Sequence, residues 1–370
     1  MRCAIVGSGL AALAAYATLR HGEVEPEEIV VFGSHEDPTA VWRVRAASIR
    51  QARMRSESEG HLAPASFPGL AVREALRRRS AMPLLQTVVN RYHPTVDDFL
   101  AHASEVRTRS GWDKSFRAQR VERVRALAGG FTVDGEGPFA HLLIATGHPG
   151  LARPDAFPSA VHAYEPHDYA DKVAVVGAGM AAATEWLNAL AAGAEVVSIR
   201  RREPLRRPLN VPRPYFSKRG LAAYQASSAE KRAATLRELS NASYPPGAAW
   251  DAPLRTAEAE ERFRAFTPEP GSNGSNGAGC TGVQVIAATG FRRGFRADAL
   301  LADLVDAHGL ATHDRWIVLA PDSTVPALTD ARRTLSIAGV AAQWAFPAAD
   351  TIAGAKYAAR AFRRRVCRTR

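Results

Sequence analysis

One pattern occurs twice in this chain and restricts its fold more than any other feature. It is a short apolar run, a glycine-rich turn, an alanine-rich stretch and a second apolar run. In the first copy Cys3-Ala4-Ile5-Val6 leads into Gly7-Ser8-Gly9-Leu10-Ala11-Ala12, a G-x-G-x-x-A match, and Ile29-Val30-Val31-Phe32 closes the unit. In the second, Val173-Ala174-Val175-Val176 leads into Gly177-Ala178-Gly179-Met180-Ala181-Ala182, closed by Glu195-Val196-Val197-Ser198-Ile199. Continuous apolar runs of this length read as strands buried on both faces. The alanine-rich stretches between them have the composition of helices lying close on a sheet. A glycine motif in that context is far more specific than the same letters alone.

Each small residue has its own task. Gly7 and Gly177 permit the tight turn, Gly9 and Gly179 let the backbone approach a ligand without an intervening Cβ, and Ala12 and Ala182 bring helix and strand together. The free N–H groups and positive end of each helix then suit a pyrophosphate. A plain α/β turn is the bland alternative, and two copies in one chain count against it. The residue after the second strand reads the adenosine ribose. In the first unit that place is Gly33 rather than an acid, leaving Ser34, Glu36 or Asp37 as substitutes. In the second unit Ser198 is followed by Arg200, Arg201 and Arg202, a setting for the 2′-phosphate of NADP. An arginine cluster in an arginine-rich protein is the competing reading.

Two further strands end alike. His141-Leu142-Leu143-Ile144 runs into Ala145-Thr146-Gly147, and Val283-Gln284-Val285-Ile286-Ala287 runs into Ala288-Thr289-Gly290. These small residues allow the chain to pass close to a bound cofactor at a strand's carboxyl end. A helix is expected from Pro94-Thr95, with Thr95 as its cap. Val121 to Val124 and Phe131 to Val133 read as a strand pair, residues 228–239 as a helix, and residues 54–69 as an ordered irregular loop. Leu335-Ser336-Ile337-Ala338-Gly339-Val340 reads as a last strand and turn, followed by a helix over about 348–364. Residues 203–270 are broken by prolines and read either as an insertion over the site or as an excursion with its own small core. Gly271-Ser272-Asn273-Gly274-Ser275-Asn276-Gly277 reads as a flexible loop.

The 370 residues suffice for two domains. The net charge of +11 is almost all arginine spread along the chain, without a nucleic-acid-binding motif, so it favours anionic small molecules or an acidic redox partner instead. No apolar run reaches membrane-spanning length, and a strand beginning at the third residue leaves no room for a signal peptide. Cys3, Cys280 and Cys367 are scattered singly, without C-x-x-C or metal-ligand spacing. A cytoplasmic enzyme without a dithiol centre and without a metal is expected.

Two glycine fingerprints, two Ala-Thr-Gly strand ends and a closing strand–glycine–helix, in this order, resemble the two-dinucleotide-binding-domain flavoproteins. Val41-Trp42-Arg43, the Phe67-Pro68 segment and the lack of paired cysteines look most like class B flavin-dependent monooxygenases, the flavin-containing and N-hydroxylating enzymes. The resemblance implies an α/β fold of two Rossmann-like domains. An FAD-binding domain would span residues 1–165 and 290–370, with an NADPH-binding domain inserted at 166–289 and an irregular insertion at about 203–280. Gly7, Gly9, Leu10, Ala11, Ala12, Trp42, Arg43, Ala145, Thr146, Gly147, Gly339 and Val340 would line FAD. Gly177, Gly179, Met180, Ala182, Ser198, Arg200, Arg201, Thr289 and Gly290 would line NADPH and its approach. Departures from the family pattern are Gly33, Pro38-Thr39-Ala40 in place of two glycines, Val340 in place of an aspartate, and a degenerate identifier at Phe157-Pro158-Ser159-Ala160-Val161-His162.

The implied activity is insertion of one oxygen atom from O2 into a small metabolite, at nitrogen, sulfur or a carbonyl carbon, through a flavin C4a-(hydro)peroxide. The cofactor carries the chemistry and the protein positions it and excludes water, so no side-chain nucleophile is required. Arg55, Ser56, His61, Gln343 and Trp344 are the polar or aromatic candidates near the flavin, none with an assigned role. Competing readings are an NADPH-dependent flavin reductase that passes electrons to a protein or quinone, and a flavoprotein without turnover. The partners are a small-molecule substrate and O2, not nucleic acid or a membrane, and homo-oligomerisation stays open.

Overall fold

A computed structural model describes residues 2–55, 60–67, 69–89, 91–268 and 282–368. Ser56, Pro68, Cys280 and the glycine-rich run 271–277 lie outside the described residues. The first fingerprint forms β1 (Cys3–Val6), α1 (Leu10–His21) and β2 (Ile29–Gly33). After these come α2 (Ala40–Ser48), α3 (Gly69–Arg78), α4 (Met82–Val88), α5 (Val96–Ser110) and β3 (Phe116–Ala118). A meander β4 (Val124–Leu127), β5 (Gly130–Val133) and β6 (Glu136–Phe139) precedes β7 (His141–Ile144). Val41, Trp42 and Arg43 therefore sit in the first turn of a helix.

The second fingerprint lies within β8 (Val161–His162), β9 (Lys172–Val176), α6 (Met180–Ala191) and β10 (Glu195–Ile199). The proline-rich region contains β11 (Leu205–Arg206), α7 (Lys218–Gln225), α8 (Ala229–Leu239), β12 (Ser243–Tyr244), α9 (Ala248–Ala259) and β13 (Phe263–Phe266). The remainder comprises β14 (Gln284–Ala287), α10 (Ala299–His308), β15 (Thr312–His313), β16 (Trp316–Ile317), β17 (Thr334–Ile337) and α11 (Ile352–Arg368).

Two five-stranded parallel sheets organise the chain, with orders β17-β7-β1-β2-β3 and β13-β10-β9-β14-β8. They match strand for strand. In each, the strand entering the glycine turn lies between the strand that closes its unit and the one ending in Ala-Thr-Gly. This is the α/β architecture of two Rossmann-like units.

Alternation along β1 divides the first core. Cys3 and Ile5 face a cluster with α1, α5 and α11, while Ala4 and Val6 face one with the β4–β6 meander, α10 and Trp344. Seen from the second sheet, Val173 and Val175 pack on α6 and α9, and Ala174 on a smaller cluster with Phe157. The described residues of 203–268 form no core of their own. Tyr224 of α7 and Ala233 and Leu236 of α8 are buried in the first unit's core, and Leu254 and Ala257 of α9 in the second's. The region therefore straps one unit to the other.

Local signals account for several boundaries. Thr95 caps α5 by accepting from the Asp98 amide at 3.1 Å, with Asp97 and Asp98 in the first turn, and left-handed Gly111 ends the helix. Ser228 caps α8 in the same way. The strand expected from Val121 begins only at Val124, because the Asp134 carboxylate takes the Glu122 and Arg123 amides out of the ladder.

Candidate functional site

Both glycine turns meet the neighbouring Ala-Thr-Gly strand end through their backbones. The Gly7 amide donates to Phe32 at 2.8 Å, and the Ala145 amide donates to Val6 at 2.7 Å. Gly7 has φ +109, and a Cβ on it would run into the Ala145 carbonyl. The second unit repeats this arrangement. Gly177 donates to Ile199 at 2.9 Å, Ala288 donates to Val176 at 2.8 Å, and a Cβ on Gly177 (φ +140) would run into the Ala288 carbonyl. Only glycine satisfies both constraints at these two positions.

The second glycines differ in kind. Gly9 is the N-cap of α1 and faces open space, with nothing within 4 Å of where a Cβ would stand. Gly179 caps α6, and only the Ala242 methyl comes as near as 4.0 Å. Neither helix has a capping side chain or an acid in its first turn. Each helix therefore presents first-turn N–H groups that no side chain caps, a setting that suits an anionic group. Ala12 and Ala182 are fully buried against their strands, and Leu10, Ala11 and Met180 lie partly exposed on the first turns.

The Ala-Thr-Gly ends are stitched together. Ala152 donates to the Gly290 carbonyl and Arg292 to that of Gly150, both at 2.9 Å, so the two connections between units pair as a short antiparallel ribbon. The Thr289 hydroxyl donates to Ala152, and that of Thr146 donates to Asp298 at 2.7 Å. Gly147 and Gly290 both have positive φ and nothing within 4 Å of a Cβ position, and a Cβ on Gly339 would stand 3.9 Å from the Gly147 Cα. Val340 follows in a half-buried turn.

Residues that the sequence does not single out complete this junction. His148 and Phe291, each directly after an Ala-Thr-Gly, stack at 3.9 Å, and Tyr164 stacks on Phe291 at 5.0 Å. The Arg45 guanidinium sits 4.7 Å from the Phe291 ring. Burial, with Arg45 and Arg293 nearby, takes the His148 imidazole down to about 4, so it is neutral at ordinary pH. Arg55, largely enclosed, donates to the Thr184 hydroxyl of α6 at 2.6 Å, and Asn188 of α6 donates to the Ile49 carbonyl at 3.0 Å. Behind them the buried Glu185 accepts from Tyr169 at 2.8 Å and pairs with His167 at 3.0 Å. The only sequence signal for the aromatic pair was its place after the repeated Ala-Thr-Gly.

The ribose ends of the units are unlike. A Cβ on Gly33 would run into the Ser8 side chain, whose Oγ accepts from the His35 amide at 3.3 Å, so nothing larger than glycine fits there. Glu36 is paired with Arg107. Asp37 accepts from the Thr39 amide and hydroxyl and from Arg43 at 2.7–2.8 Å. Burial opposes its ionisation, but these donors outweigh it and hold its carboxyl below the usual range. Arg43 is thereby fixed against its own loop, and Trp42 lies edge-on to Phe99 at 5.1 Å. At the end of β10, Ser198 is fully buried and its hydroxyl is shut away from any surface ligand. Arg200 is largely covered and paired with Glu203, Arg201 is exposed, and Arg202 donates to Asn241 at 2.6 Å.

Among the other candidates, Trp344 is a buried core residue, Gln343 is half-buried, and His61 lies against Lys356 with its imidazole taken down to about 4, first by burial and then by that ammonium. Ser56 is outside the described residues. Cys3 is buried, which pushes its thiol up to about 12, and no group of metal-ligating side chains gathers among the described residues. A hollow of about 510 Å3 among His21, Pro64 and arginines of α11 lies at the opposite end of α1 from Gly9. The helix N-termini at the strand ends, not this hollow, form the candidate site.

No protein-family model and no curated protein sequence matches the chain. Solved structures match over nearly its full length. The ornithine hydroxylase PvdA from Pseudomonas aeruginosa is similar with a TM-score of 0.68 at 17% identity, covering 98% of this chain and 99% of that one. An ornithine N-hydroxylase from Kutzneria sp. 744, in a structure titled with reduced FAD, NADP+ and L-ornithine, has a TM-score of 0.66 at 16% identity, with 98% and 99% covered. The bacillithiol disulfide reductase Bdr from Bacillus cereus has a TM-score of 0.60 at 15% identity, with 99% and 98% covered. The fold is thus shared with flavin-dependent monooxygenases and with a disulfide reductase.

Proposed function

We propose that the chain is an FAD- and NADPH-dependent monooxygenase that oxygenates a small metabolite. The observation that carries this reading is the pair of helix N-termini at Gly9 and Gly179, both without a capping side chain or a first-turn acid, in a chain that overlays N-hydroxylating monooxygenases from end to end. The first unit, residues 1–165 and 290–370 without β8, is assigned to FAD, and the second, residues 166–289 together with β8, to NADPH; the boundary moves from 165 because Val161 and His162 pair with β14.

The residues present fit both groups. The free amides of Leu10, Ala11 and Ala12 would receive the FAD pyrophosphate, and those of Met180 and Ala181 that of NADPH. Gly147, Gly290 and Gly339 leave room for rings to lie on the backbone. Arg201, which pairs with no acid among the described residues, and Arg200, which would exchange Glu203 for a better anion, would take the 2′-phosphate. Trp42 and the Arg43–Asp37 pair shape the wall beside the first helix N-terminus. Bound FAD would supply hydride acceptance from NADPH and activation of O2. His148, Phe291 and Tyr164 stack across the junction beside these strand ends, and burial holds the His148 imidazole neutral at ordinary pH.

A reductase passing electrons to an acceptor is the second reading, supported by the likeness to the disulfide reductase. Turnover with NADPH under 18O2, across a panel of amines, amino acids, thioethers and ketones, separates the two. Label in an organic product supports the monooxygenase. NADPH oxidation that depends on a quinone or disulfide, with no label incorporated, replaces it with the reductase.

A further inference from the structure

The α3–α4 hairpin departs from the rest of the surface. Seven of the thirteen large apolar side chains that the described residues leave exposed fall between positions 72 and 89. Leu76 is 74% exposed and Val88 84%, and Met82, Leu85 and Val89 are each more than half exposed. Of α4 only Pro83 is buried. A seven-residue helix is marginal alone in water, and among the described residues this one buries only Pro83, so little in its own chain holds it. One buried aliphatic side chain removes about 100 Å2 from water, so seven amount to several hundred Å2. That approaches the ~800 Å2 that each partner brings to a standard interface.

Charge says what covers it. Residues 80–90 contain no charged residue, in a chain that is 23% charged. Of the arginines beside the patch, Arg73 holds Glu105, Arg77 grips Asp98 through two bonds of 2.7 and 2.8 Å, and Arg78 holds Glu74 at 2.8 Å. A surface built for anionic lipid would keep those cations free. Here they are neutralised within the chain, and Arg79 and Arg91 at the two ends of the run remain.

We propose that this hairpin is the face through which two copies of the chain associate about a twofold axis, α4 packing against α4. An uncharged strip can meet its own copy without opposing like charges, and the interior of an interface between copies is more apolar than ordinary surface. The inference is independent of the activity proposed above, because neither α3 nor α4 supplies a residue to the strand ends.

The test is sedimentation velocity of the FAD-loaded full chain, beside a Leu85→Glu, Val88→Glu double variant. Both positions are solvent-facing, so the fold and FAD content should not change. The expected result is a dimer of the 39.8 kDa chain for the wild type and a monomer for the variant, with equal FAD content. A wild type that is monomeric at all concentrations, or a variant that stays dimeric, overturns the proposal. Binding of wild-type monomer to phosphatidylglycerol vesicles, lost in the variant, would also overturn it and assign the patch to a membrane.

Discussion

The two units are copies in backbone and opposites in their ribose ends. In both, a glycine at positive φ presses on the carbonyl of an Ala-Thr-Gly alanine, and the next glycine opens a helix end to space. Between β2 and its successor, however, Ser8 and Gly33 close the place where an acid would stand, while β10 runs out into three arginines. The shared part follows from one geometric demand, close backbone approach at the carboxyl ends of parallel strands. On the proposed function, the divergent part separates a unit whose second strand ends in arginines suited to a 2′-phosphate from one that has none there.

The first glycines separate the units most sharply. Alanine at Gly7 or Gly177 must adopt a left-handed backbone and displace a carbonyl, a destabilisation of about 3 kcal/mol or more. Gly7→Ala should yield protein without FAD. Gly177→Ala should keep FAD that NADPH no longer reduces, read by flavin content and anaerobic spectra. Loss of FAD in both variants would mean that the units do not act separately.

Next in size is the phosphate end. Replacing Arg200 and Arg201 by glutamine should raise KM for NADPH about 10- to 100-fold, the ~1.5–3 kcal/mol of a charged hydrogen bond, and leave NADH almost untouched. An equal effect on both nucleotides would remove the contrast between β10 and β2.

The ribose corner of the first unit gives a smaller change. Gly33→Glu alone must push Ser8 aside, a loss of about 1–3 kcal/mol by overpacking. Adding Ser8→Gly should restore part of the lost melting temperature, because it removes the Ser8 side chain while the backbone nitrogen, 2.9 Å from the Cβ position, remains. A double variant no more stable than Gly33→Glu would refute that pairing.

The smallest contrast is in acid. His61, His102, His141 and His148 all belong to the first sheet and its helices or to the junction, and burial takes each from 6.5 to about 4. His102 also accepts the Leu62 amide, a bond that protonation breaks. The unfolded chain binds more protons than the folded one between about 6.5 and 4, so stability from these groups is full above that window and falls as pH drops through it. His167 of the second unit works in the opposite sense. Burial opposes its charge, but Glu185 more than offsets this and its affinity for protons is raised. Its contribution is full below 6.5 and is lost as pH rises through the folded-state value. Hydrogen exchange at pH 5 against pH 7 should therefore show lost protection in β7 and α5 but not in α6. Uniform loss would contradict the assignment.

The central strands β1, β2, β7, β9, β10, β14 and β17 were legible because buried parallel strands are continuous apolar runs, and α5 and α8 because Thr95 and Ser228 announce them. The strapping role of residues 203–270 was not, since an amphipathic helix shows that it buries a face but not against which core. The reason for Gly33 was also hidden, because its obstacle lies 25 residues earlier in sequence, at Ser8. Ser198 read as a phosphate ligand from its position alone, whereas strand alternation turns its hydroxyl inward. The stack of His148, Phe291 and Tyr164 joins three distant segments that no local pattern connects.

Anaerobic titration of the FAD-loaded protein with NADPH and, separately, NADH tests whether both units serve one reaction. NADPH should bleach the flavin's visible absorbance and NADH should do so far more slowly, with colour returning when O2 is admitted. Flavin that stays oxidised under excess NADPH, or a protein that retains no FAD, would contradict the two-nucleotide assignment on which the proposed function stands.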